Sequence, residues 1–113
     1  AGRLDNPHHL HRLGQAMAAA ETCRLWAHRM AAIAEDPGAV PAEAVAMVGL
    51  GRCAVEAACL DSIQLVQRSI GLAAFRSCTA VERISRDLAT YLRQPAPDAA
   101  LTEAAAFFAA KPV

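Results

Sequence analysis

Hydrophobic positions recur along the chain with the period of a helix, and proline and glycine cut the pattern into four segments. The longest segment, Ala42 to Ile70, carries Val45, Met47, Val48, Leu50, Val55, Leu60, Ile63, Leu65, Val66 and Ile70 at all angles of a 3.6-residue helix. A helix that is apolar on every side is normally buried all round. The stretch from Pro41 to Gly71 is therefore expected to be the central rod of a bundle, or a rod shared with a partner. Arg52 with Glu56 and Gln64 with Arg68 stand one turn apart, where each pair can satisfy itself.

The other segments fall around this rod. Asn6-Pro7 is a strong helix start, since Asn caps free amides and Pro is pre-set for the first helical position. The first helix runs to about residue 35. Leu10, Leu13, Met17 and Ala20 make one stripe on it, and Trp26, Met30 and Ile33 lie on a rotated face, so two different neighbours are expected. Asp36-Pro37-Gly38 reads as a turn. Gly71 ends or kinks the rod, and Leu72 to Cys78 form a short connector with Phe75 tucked inward. Thr79 and Glu82 make a capping box for a third helix, about 79–93, with Val81, Ile84, Leu88, Tyr91 and Leu92 as its stripe. Gln94-Pro95-Ala96-Pro97 stops it, and Asp98 caps a fourth helix, about 98–110, carrying Leu101, Ala104, Ala105 and Phe108. Short connections between four helices predict an all-α, up-down four-helix bundle spanning 1–113 as a single domain.

Composition agrees with that class. The chain is 55% apolar yet poor in aromatic and β-branched residues, which favours helix over strand. Its formal net charge is zero, so it presents no basic field for nucleic acid or an anionic membrane. Cys23, Cys53, Cys59 and Cys78 form no C-x-x-C pair and read as free thiols of a reducing compartment. No uncharged run approaches the roughly 18 apolar residues that span a bilayer, and a cytoplasmic location is expected. The chain begins Ala-Gly, as a processed or excised chain would.

Candidate chemistry is sparse. His8 and His11 are three apart near Asp5, but two histidines without paired carboxylates are weak ligands, and a solvated helix end is the plainer reading. No nucleophile motif, dinucleotide fingerprint or phosphate loop is present, and Gly49-Leu50-Gly51 reads as a place of close helix contact. No catalytic residue and no metal site is assigned. The richest segment is Val81 to Asp87, where Glu82 with Arg86 and Arg83 with Asp87 are paired at one helical turn.

Gln67-Arg68-Ser69-Ile70-Gly71, the aromatic Phe75, Val81-Glu82-Arg83 and Arg86-Asp87, together with the preceding pair of Ala-rich helices, resemble the carboxy-terminal domain of acyl-CoA dehydrogenases and related flavoproteins. Ala80 stands where that family's pattern has Pro, and one Gly remains in the loop. The resemblance implies a four-helix bundle that packs against FAD and builds a subunit interface. Gln67, or Gln64 in a shifted register, and Gly71 would hold the adenine-diphosphate part of the flavin. Arg83, Arg86 and Asp87 would be structural. The family's late position for a catalytic Glu falls near Pro95, which has no basic side chain. The implied whole-enzyme reaction is α,β-dehydrogenation of an acyl-CoA, with the remainder of the flavoenzyme or identical subunits as partners. A stand-alone assembly module without flavin and a flavin-dependent hydroxylase of the same fold are the alternatives.

Overall fold

The computed structural model describes residues 7–70, 80–91 and 97–111. It is all-α, with helices α1 (Pro7–Glu35), α2 (Pro41–Ile70), α3 (Ala80–Tyr91) and α4 (Pro97–Ala109). Gly71 to Thr79, with Phe75 and the Thr half of the capping box, lies outside the described residues, as do Asn6 and the segment 92–96. The same is true of the side chains of Val81 and Tyr91. No described helix is long and apolar enough to cross a membrane.

The turn between α1 and α2 is built as its sequence dictates. The Gly38 amide donates to the Asp36 carboxylate at 2.8 Å, and the Ala39 amide donates to the Asp36 carbonyl at 3.2 Å. Asp closes the loop on its own side chain, Pro37 fixes its backbone, and the chain reverses within four residues. The Ala44 amide then donates to the Val40 carbonyl at 3.0 Å, starting α2.

From this reversal α1 runs antiparallel along α2. Met30 and Trp26 meet Gly51, Cys23 meets Cys59, and Gln15 lies across from Leu65. The face of α1 turned from solvent is His9, Arg12, Ala16, Ala19, Cys23, Trp26, Met30 and Ile33. Alternating steps of three and four keep one continuous seam on one partner. Of the two faces expected from the sequence, Trp26, Met30 and Ile33 lie on this seam, whereas the stripe of Leu10, Leu13, Met17 and Ala20 is exposed. Leu10, Leu13 and Met17 lie outside the seam, and Met17 is 64% exposed. The physical reason is size. Ala16, Ala19 and Cys23 let the helix backbones approach, which Leu10, Leu13 and Met17 cannot do.

Gly51 shows how close the approach is. A Cβ on it would fall 2.7 Å from Met30 Sδ and 2.8 Å from Trp26 Cε3, so the α1 side chains occupy the volume that any larger residue needs. Gly49, on another face, sits against Ala100 of α4. The pair of glycines therefore serves close contact with two helices, as the sequence suggested.

α4 returns antiparallel to α2, with Ala100 at Gly49 and Lys111 Nζ 3.0 Å from Glu43 Oε2. Its inner residues are Ala100, Ala104, Phe107 and Phe108, while Leu101 and Ala105 are exposed. Ala104 and Phe108 of the expected stripe thus turn inward, while Ala100 and Phe107 take the places expected of Leu101 and Ala105. The two Phe rings meet edge-on at 5.2 Å, and Lys111 Nζ stands 5.3 Å from the Phe107 ring centre.

α2 is the central rod, as expected, but it is not buried all round: Val45, Leu60 and Val66 on it are exposed. Among the described residues it packs against each of the other helices, and those do not pack against one another. The result is open: the radius of gyration is 17.5 Å, where a compact chain of this length has about 13 Å. Among the described residues the buried core is only Ile33, Ala46, Ala58 and Ala104, besides Gly51. Val45, Ile84, Leu60 and Val66 are exposed large apolar residues, Val45 to 72%.

Candidate functional site

The last turns of α2 carry the residues singled out from the sequence. Asp61, Gln64, Leu65 and Arg68 share a face because they are separated by three, four and seven positions. Opposite them the α1 seam presents Ala19, whose small side chain leaves the helices unfilled at this level. A groove of about 250 Å³ results, lined by Gln15 and Ala19 of α1 and by Asp61, Gln64, Leu65 and Arg68 of α2. Arg68 is also the cation of the last helical turn, where the partial negative charge of the helix end favours it.

Gln64 lines this groove, whereas Gln67 lies half-buried on the neighbouring face and does not. Gly71 lies outside the described residues. The structure thus brings Gln64 and Arg68 together with Gln15 and Asp61, a set of two amides, one guanidinium and one carboxylate. Such a set can recognise an anionic or polyhydroxyl group by hydrogen bonds. It supplies no thiol or hydroxyl nucleophile. Nothing in the sequence marks Gln15 until the hairpin register is known; the antiparallel pairing through the Asp36 turn is what sets it opposite Leu65.

On α3 the charged segment is local. Arg86 Nη1 stands 3.4 Å from Glu82 Oε1, and Arg86 Nε stands 4.0 Å from Asp87 Oδ1. Asp87 is therefore turned towards Arg86, not towards Arg83 as the one-turn spacing suggests. Arg86 is 64% exposed, so the pair with Glu82 contributes no more than about 1 kcal/mol. On α1, Glu21 accepts hydrogen bonds from Arg24 at 2.9 and 3.0 Å, which hold its carboxyl below the ordinary value and raise the guanidinium in return.

His8 and His11 are exposed in the first turns of α1, and His28 is exposed farther along it. Among the described residues no group of three His, Cys, Asp or Glu side chains could hold a metal ion. Cys23, Cys53 and Cys59 are all half-buried.

A second groove, about 500 Å³ and mostly apolar, lies between the first half of α2 and α4. Val45, Val48, Gly49, Ala100 and Ala104 form its walls, with Arg52 and Glu103 as its charged residues. Its origin is legible only once the helices are paired: Ala42, Ala44, Ala46 and Gly49 face an equally small-residue α4, and small side chains do not fill the space between two rods.

Comparison with protein-family models, with curated proteins and with solved structures finds no match for this chain.

Proposed function

We propose that the chain is the carboxy-terminal helical domain of an FAD-dependent oxidoreductase similar to acyl-CoA dehydrogenases, and that it serves assembly and cofactor retention. One observation carries the assembly part. The chain exposes 7941 Å², whereas a compact monomer of its mass exposes about 5,900 Å². The excess of about 2,000 Å² on one chain is more than the roughly 800 Å² that each partner buries in a standard protein–protein interface, and falls in the range of large obligate ones. Leu10, Leu13, Met17, Val45, Ile84 and Leu101 lie on that surface. Those side chains gain about 25 cal/mol for each Å² removed from water, so the open bundle is expected to close against the remainder of the enzyme or identical subunits.

The flavin part rests on the resemblance in Gln67 to Gly71 and in Glu82-Arg83 and Arg86-Asp87. FAD, when bound, supplies the acceptor for the hydride removed from an acyl-CoA. The role of this chain is to hold the adenine-diphosphate end through Gln67 and Gly71. The neighbouring donors Gln64, Gln15 and Arg68 are of the type that recognises phosphate oxygens. A cytoplasmic setting fits the half-buried thiols.

The test is the Gln67→Ala substitution in the assembled enzyme. Flavin retained through dialysis, read from the ratio of flavin to protein absorbance, is expected to fall several-fold while the oligomer persists. Unchanged flavin content would remove the cofactor role and leave the alternative of a pure assembly module. A concentration-independent monomer in sedimentation of the chain would overturn the assembly role itself.

A further inference from the structure

Midway along the α1–α2 seam two cysteines from different helices face each other. Cys23 Sγ and Cys59 Sγ are 3.8 Å apart, and Cys23 Sγ stands 4.0 Å from the Val55 carbonyl oxygen. The contact is a product of the seam rather than of the local sequence. Cys23 holds one of the inward positions of α1, and the Asp36 turn sets the register that brings Cys59 opposite. Both side chains are half-buried, so the pair is reachable from solvent.

We propose that Cys23 and Cys59 are a redox modification site that closes to an intramolecular disulfide by exchange with a low-molecular-weight disulfide. A bond requires the sulfurs to approach to about 2.0 Å, so each must move by roughly 1 Å, within reach of a small side-chain rotation. The thiolate of one cysteine attacks the external disulfide, forming a mixed disulfide and releasing one small thiolate. The second cysteine attacks the protein sulfur of that mixed disulfide and releases the second small thiol. Two protein thiols are oxidised, one external disulfide is reduced to two thiols, and the two protein protons end on them. Burial, followed by the hydrogen bond with Cys23, pushes the Cys59 thiol up, so closure is slow at neutral pH and faster in mild alkali.

The consequence is mechanical. The bond joins the two longest helices near the middle of their contact, 36 positions apart in sequence, and a hairpin so tied cannot open. The cysteine pair does not depend on the flavoprotein reading.

The experiment treats the 113-residue chain with oxidised glutathione at about pH 8.5, followed by proteolysis and mass spectrometry without reductant. The expected product is a Cys23–Cys59 cross-linked peptide pair formed within one chain, which runs as a single chain on a non-reducing denaturing gel. Its thermal midpoint should lie about 10 to 20 °C above that of the reduced chain, given the loop it closes, and should return on reduction. The Cys23→Ser and Cys59→Ser variants should lose the rise. Stable glutathione adducts at either cysteine would overturn the proposal, as would a bond from either to Cys53 or Cys78, or survival of both thiols. Because the mapping is done on the unsubstituted chain, a poorly folding variant leaves the test intact.

Discussion

Gly51 provides the sharpest test of the packing. Replacing a helical glycine by alanine normally stabilises a helix by about 1 kcal/mol, because alanine loses less backbone entropy. At Gly51 that gain is opposed by volume. The new methyl would lie 2.7 and 2.8 Å from Met30 Sδ and Cγ and 2.8 Å from Trp26 Cε3, against the roughly 3.5 to 4.0 Å of ordinary carbon contacts. Met30 can bend away, but the Trp26 ring is rigid and α1 must shift with it. Overpacking of this kind costs about 1–3 kcal/mol, and with two neighbours displaced the upper half of that range applies. The expected net loss for Gly51→Ala is about 1–2 kcal/mol, or a midpoint lowered by roughly 5–10 °C.

Gly49→Ala is the internal control. Its methyl would meet Ala100 O at 3.5 Å, an ordinary contact, so the propensity gain survives and the chain should be stabilised by up to about 1 kcal/mol. Urea unfolding followed by far-UV circular dichroism measures both. Trp26 is the only tryptophan in the chain, so its emission reports on the disturbed contact directly and should shift to the red in Gly51→Ala alone. If Gly51→Ala matches or exceeds Gly49→Ala in stability, the close α1–α2 approach at Gly51 does not exist.

Further expectations follow from other elements. Met17→Glu or Leu13→Glu places charge on the exposed α1 stripe and should weaken self-association in sedimentation at least tenfold while leaving helicity intact; unchanged association would move the interface elsewhere. The raised Cys59 thiol favours the protonated group in the folded state, so its contribution is complete below the ordinary thiol value and is lost as pH rises through the elevated one. Urea midpoints between pH 7 and 11 should therefore fall more steeply for the unsubstituted chain than for Cys59→Ala, and parallel curves would refute the assignment. Lys111→Ala, which removes the Glu43 pair and the approach to the Phe rings, should cost no more than about 1 kcal/mol because the pair is exposed. The isolated chain should not oxidise an acyl-CoA when supplied with FAD; turnover in a flavin-dependent dye assay would sink the assembly reading.

What the sequence made legible was its punctuation. Pro7, Pro41 and the Asp36-Pro37-Gly38 turn act through local backbone geometry, and the observed bounds of α1 and α2 match those read from them. The all-round apolar character of Pro41–Ile70 likewise foretold its position as hub. Which face of α1 and α4 turns inward was legible only in part: Trp26, Met30, Ile33, Ala104 and Phe108 turn inward as read, whereas Leu10, Leu13, Met17 and Leu101 form stripes that the packing does not use. The rest of the inward surface is made of Ala16, Ala19, Cys23 and Ala100, where contact depends on the absence of bulk. Hydrophobicity does not mark such positions; they become visible only against Gly49 and Gly51 on the facing helix. The candidate site shows the same division. Gln64 and Arg68 could be placed on one face by their spacing, whereas Gln15 and the Cys23–Cys59 contact depend on long-range register that no local signal encodes.

The open surface also sets a calorimetric signature. Surface that folding leaves exposed contributes nothing to the heat capacity of unfolding. For about 2,000 Å² of mixed apolar and polar area this removes about 0.3 kcal/mol/K, from the roughly 1.5 kcal/mol/K of a compact domain of this length. The isolated chain should therefore have a flatter curve of stability against temperature than its size suggests. The missing heat capacity would be recovered when those faces are covered, as a negative change on association.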